Sequence, residues 1–82
     1  MSVVRLRVLG RRDSYLKLTL VSWLNEMMDF LREELGLEIE VVEEESDFDV
    51  PVVCLGDQVV LVGLPSEEGY LIEALKKALK AP

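Results

Sequence analysis

Apolar and polar positions alternate near the N-terminus, where Val4, Leu6 and Val8 are interleaved with Arg5 and Arg7. A period of two predicts a half-buried strand over Val3–Leu9. Gly10 to Ser14 is polar and reads as a loop. Asp13 or Ser14 is placed to cap a following helix by accepting from its free first-turn N–H groups. From Tyr15 to Leu35 the period becomes helical. Leu16, Leu20, Trp23, Leu24, Met27, Met28, Phe30, Leu31 and Leu35 fall on one side, with Asn25, Asp29, Arg32 and Glu33 on the other. The apolar arc covers about half the circumference, wider than the roughly 100° of a single contact face. Gly36 supplies the stop.

Alternation returns over Leu37–Val42, with Leu37, Ile39 and Val41 against Glu38 and Glu40. Strand, crossover helix and strand form a right-handed βαβ unit, so the two strands are expected to be parallel neighbours. Arg5 and Arg7 would then share a wet face with Glu38 and Glu40. Glu43–Asp49 reads as an acidic connection with Phe48 as its only anchor. Val50–Leu55 and Val59–Val62 flank Gly56-Asp57, a hairpin signal in which Gly56 supplies the positive φ of a II′ turn. Pro51 stands at the mouth of the first of these runs, where its missing N–H is tolerated and a cis bond is possible. Ser66–Lys80 reads as a second helix capped by Ser66. Its core stripe is Leu71, Leu75, Ala78 and Leu79. Glu67 and Glu68 open it, and Lys76, Lys77 and Lys80 close it, as the macrodipole prefers.

Eighty-two residues, half of them hydrophobic, make one domain, 1–82, with a core of its own. The net charge of −7 disfavours nucleic acid and anionic membranes as partners. The single cysteine, Cys54, excludes an intrachain disulfide. There is no signal-like leader and no apolar run long enough to span a bilayer, so a cytoplasmic protein is expected. Asn25 and Gln58 are the only amides among 30% charged residues, a composition that points towards a thermophilic source.

The order β-α-β-loop-β-β-α, with Val50-Pro51 opening the third strand and Gly63 closing the fourth, resembles the thioredoxin/glutaredoxin fold. It is most similar to the small archaeal glutaredoxin-like thioredoxins, over nearly the whole chain. The resemblance implies an α/β domain with a four-stranded mixed sheet in the order 2-1-3-4 and two helices on one face. It further implies a groove for an extended peptide, formed by Asp13, Ser14 and Tyr15 together with Val50 and a cis Pro51. Two departures stand out. The family's Cys-x-x-Cys falls at about Asp13–Leu16, where this chain has no cysteine, and without a thiolate there is no nucleophile for disulfide exchange. The family's helix after the second strand is replaced by Glu43–Asp49, which leaves the other face of the sheet uncovered.

That face should be charged over the first two strands and apolar over the hairpin. Val52, Cys54, Val60 and Val62 are the candidates for a partner surface, and a homodimer is expected. Arg11 and Arg12 beside the helix N-terminus are an anion candidate. Glu43–Asp49 lacks the glycine and ligand spacing of a calcium loop, and neither metal nor cofactor is expected. No His is present for acid–base work. The leading expectation is a non-catalytic thioredoxin-like interaction domain. The alternative is a glutaredoxin-like oxidoreductase or single-thiol carrier using Cys54. A third reading is a ferredoxin-like half with a ligand between the first helix and the sheet, in which the third strand does not lie beside the first.

Overall fold

β1 (Val3–Gly10) lies at the centre of the sheet, with parallel β2 (Glu38–Glu45) on one side and antiparallel β3 (Val52–Leu55) on the other. β4 (Gln58–Val62) pairs antiparallel with β3 and closes the order β2-β1-β3-β4. The structure is a computed structural model that describes residues 3–80. The chain is thus α/β with a four-stranded mixed sheet and two helices. The third strand lies beside the first, and β2 lies directly beside β1 with no strand between them, whereas the split βαβ unit of a ferredoxin-like arrangement needs one.

Helix α1 (Tyr15–Leu35) is started by Ser14, whose Oγ accepts from the Lys17 N–H, and ends at Gly36 in the left-handed region at φ 66°. Its buried residues Leu20, Leu24, Met27, Met28 and Leu31 pack on Leu6 and Val8 of β1 and Ile39 of β2. The Arg32 guanidinium donates twice to the Ile39 carbonyl, at 2.7 and 3.2 Å, tying the end of α1 to β2. Helix α2 (Glu68–Lys80) lies over β4 and contributes Leu71 and Leu75 to the same core. Both helices therefore cover one face, and Lys76 joins them through Glu34 at 2.7 Å. The side chain of Lys80 lies outside the described part.

Several boundaries differ from the sequence reading, each for a tertiary reason. β2 runs on through Glu43–Glu45, because Val8, Leu9 and Gly10 of β1 offer it backbone partners. The Glu44 side chain falls on the uncovered face beside Arg7, and Glu43 and Glu45 are exposed at the strand end, so the carboxylates stay solvated. Leu16 and Phe30 belong to the apolar arc of α1 yet are 39% and 48% exposed. They flank the true contact stripe, and Lys17 takes a place inside it. α2 begins at Glu68, so Ser66 is not its cap, and the Tyr70 N–H bonds instead to the Glu67 carbonyl. The hairpin has its two-residue connection, with Gly56 at φ 62° and no positive φ at Asp57, as a II′ turn requires.

The most consequential difference is a bulge. Val53 pairs with Leu61 but Cys54 pairs with Val59, which leaves Val60 as the extra residue of β4. A one-residue insertion reverses the facing of everything beyond it. Val60 consequently packs with the core and meets Ala74 and Ala78 of α2, and Val59 stands opposite Cys54 in its place.

Candidate functional site

Two places collect the residues singled out by sequence. The first is the end of the sheet where β1 enters α1. Gly10 closes β1, and its carbonyl accepts from the Ser46 N–H at 2.9 Å. The chain then turns back through residues 46–51, and the Pro51 carbonyl accepts from the Gly63 N–H at 2.7 Å. A side chain at Gly10 would meet the Lys17 stem at 3.3 Å, a tight contact, and the Pro51 backbone at 3.5 Å, so the three segments converge closely here. Asp13, Ser14 and Tyr15 are thereby brought to the same end as Val50 and Pro51. Pro51 is buried, whereas Tyr15 is largely exposed.

No cis peptide bond occurs among the described residues, so Pro51 is trans and the resemblance fails at this point. The depression at this end is walled by Arg11, Arg12, Asp13, Glu45, Ser46 and Asp47, with Tyr15, Val50 and Pro51 outside it. At the anion candidate both guanidinium groups already have carboxylate partners. Arg11 pairs with Asp49 at 3.6 Å and Arg12 with Glu45 at 3.1 Å. Asp13, Glu45 and Asp47 outnumber the two guanidinium groups along the wall, so an incoming anion meets net negative charge.

Lys17 is the functional-looking residue that sequence reasoning missed. It is only 5% exposed, and its ammonium donates to the carbonyl oxygens of Gly10 at 3.1 Å and Glu44 at 2.9 Å. These carbonyls lie at the adjacent C-terminal ends of two parallel strands. A cation there clamps β1, β2 and α1 together. The signal was available: Lys17 falls in helical step with Leu20, Leu24, Met27, Met28 and Leu31.

The second place is the uncovered face. Arg7 lies across it. Its guanidinium forks onto Glu44 at 2.7 and 2.9 Å and reaches the Gly56 carbonyl at 3.2 Å. The hydrogen bonds and charge of Glu44 raise the Arg7 guanidinium above its ordinary value, with smaller contributions from Cys54 and Asp57. The Arg7 hydrogen bonds hold the Glu44 carboxyl below the usual carboxylate value, against a partial desolvation that raises it. Arg5 pairs with Glu40 at 3.6 Å. Beyond Arg7 the face turns apolar. Val52 is partly buried, Val62 and Val59 are exposed, and Cys54 lies buried at 9% opposite Arg7 in the ladder. Of the expected partner surface, Val52, Cys54 and Val62 share this face and Val60 does not.

Chemically the site offers little beyond contact. The α1 N-terminus carries Ser14 where a nucleophilic thiol would be activated. Cys54 is paired with Arg7 within the sheet, not at that helix end, and is buried. Among the described residues no group of three or more His, Cys, Asp or Glu side chains could hold a metal ion. No described helix is long and apolar enough to cross a membrane. No protein-family model, curated protein or solved structure matches the chain.

Proposed function

We propose that the chain is a non-catalytic, thioredoxin-like domain that works by protein–protein contact, as a homodimer, in a reducing compartment such as the cytoplasm. One observation carries this reading. The sheet has a face that no helix covers, charged and internally paired over β1 and β2 but apolar over β3 and β4, where Val59 and Val62 are more than half exposed. Surface of this kind marks an interaction site. The domain has no thiolate at the α1 N-terminus, so what remains of the resemblance is a frame for binding. Analytical ultracentrifugation at micromolar concentration tests the proposal directly. A sedimenting dimer supports it, and a monomer across that range removes it.

The competing reading is a single-thiol carrier on Cys54, supported by the guanidinium of Arg7 across the ladder from that residue. Insulin reduction or mixed-disulfide formation that is abolished by Cys54→Ser would favour it over the binding domain.

A further inference from the structure

The two edges of the sheet are built to opposite rules. β2, at one edge, reads EIEVVEEE and presents Glu38, Glu40, Glu43, Glu44 and Glu45. Two such edges brought together would set like charges face to face, the usual protection against edge-to-edge association. β4, at the other edge, reads QVVLV, with no charge, no proline and no glycine. Its one irregularity, the bulge at Val60, leaves the Val62 end regular. The Gly63 N–H points inward to Pro51. Because backbone groups alternate along a strand, the neighbouring Val62 N–H points outward, away from β3.

Helix α2 adds a reason for the occupant to be another copy of this chain. Ala74, Lys77 and Ala78 sit beside Gln58, Val59 and Val60 around a depression of about 210 Å³, so the end of α2 lies against the start of β4. α2 therefore runs antiparallel to β4 along the same edge. Glu67 and Glu68 lie at its start and Lys77 near its end, Lys76 being turned to Glu34 of α1. A two-fold axis through β4 would lay the basic end of one α2 beside the acidic end of the other, with opposed macrodipoles. The small Ala74 and Ala78 leave room for that approach. A short ladder alone falls below the roughly 1,200–2,000 Å² of a stable interface, and the helix flank is what would extend it. The same arrangement puts the two acidic β2 edges at the far ends of the assembly.

We propose that two copies join through β4, antiparallel about a two-fold axis, so that two four-stranded sheets become one continuous sheet with the α2 helices side by side. This rests on the homodimer reading above but moves its contact from the uncovered face, where that reading rests, to the edge, so that the face is free for a different partner.

The test is sedimentation of the full chain and of three variants, with far-UV circular dichroism and Trp23 fluorescence to confirm folding. Val62→Pro removes the outward N–H and leaves the bonds to β3 alone. It is expected to weaken dimerisation by at least about tenfold, that is, by more than RT ln 10. Val62→Thr keeps the N–H and the shape and should stay dimeric, as should Val52→Asp on the uncovered face. A Val62→Pro protein as dimeric as the wild type overturns the edge while the homodimer stands. If Val52→Asp alone dissociates, the face is the interface and the edge is not. A wild-type monomer sinks both proposals. Should Val62→Pro fail to fold, amide exchange on the wild type decides: protection of the Val62 N–H must rise with protein concentration, and concentration-independent exchange refutes the edge.

Discussion

Replacing Lys17 by methionine and by alanine separates the two things this buried lysine does. Methionine keeps the stem that packs on Gly10 and deletes the ammonium. The Gly10 carbonyl then retains the Ser46 N–H at 2.9 Å, while the Glu44 carbonyl loses its Lys17 donor. Losing a hydrogen bond from a charged donor costs about 1.5–3 kcal/mol. Against this stands the relief of no longer burying a cation, which can reach several kcal/mol for an isolated ion. Lys17 has two carbonyl partners and sits in a chain of net charge −7, so its desolvation is largely offset. The hydrogen-bond loss wins, and Lys17→Met should cost about 1–2 kcal/mol. Lys17→Ala removes three further methylenes at about 0.8 kcal/mol each, for a total of about 3–4 kcal/mol. A domain of this length has about 4–12 kcal/mol to lose. Urea unfolding followed by the single tryptophan, Trp23, reads both values, and thermal midpoints should fall by about 4–8 °C per kcal/mol. If Lys17→Met proves as stable as the wild type, the ammonium is not a clamp, and backbone pairing alone holds the ends of β1 and β2 together.

Other expectations follow from the same geometry. Ser14→Ala removes the oxygen that accepts from the Lys17 N–H and should cost about 1 kcal/mol, measured by urea midpoint, with Ser14→Asp restoring most of it. The Glu44 carboxyl is held below its usual value of 4.5, so its contribution to stability is complete above that value and is lost as pH falls through the lower folded value. Glu44→Gln should therefore flatten the acid limb of the stability–pH curve, and an unchanged limb would contradict the Arg7 pairing. The Cys54 thiol should react with an aromatic disulfide reagent far more slowly in the native protein than in urea, because it is 9% exposed beneath the uncovered face. Labelling at the rate of a free thiol would revive the carrier reading.

The candidate site was only partly legible in the sequence. Val52, Cys54 and Val62 alternate along strands whose facing is set by Val53 and Leu61, so their common face could be read from the pattern. Val60 could not be placed, because a run of four apolar residues carries no mark of where a bulge falls. The groove residues were brought to one end of the sheet, where Pro51 is trans and the Lys17 stem lies close to Gly10. Arg11 and Arg12 looked like free cations in sequence, since their carboxylate partners Asp49 and Glu45 lie more than thirty positions away along the chain.

Local pattern determined the elements themselves, with their order and the two caps of α1. A period of two or of 3.6, a serine that can accept from first-turn N–H groups, and a glycine free to adopt positive φ are all properties of neighbouring residues. The parallel placement of β1 and β2 followed as well, because a helix between two strands carries the chain back along the sheet so that the second strand runs in the direction of the first. The absence of a thiol at the α1 N-terminus was equally plain in the sequence. What needed the tertiary structure were the features that depend on residues far apart: how far β2 runs beside β1, which valine the bulge displaces, and which edge of the sheet stays bare. The burial of Lys17 belongs with them, since two strand ends had to converge before its ammonium had anywhere to go.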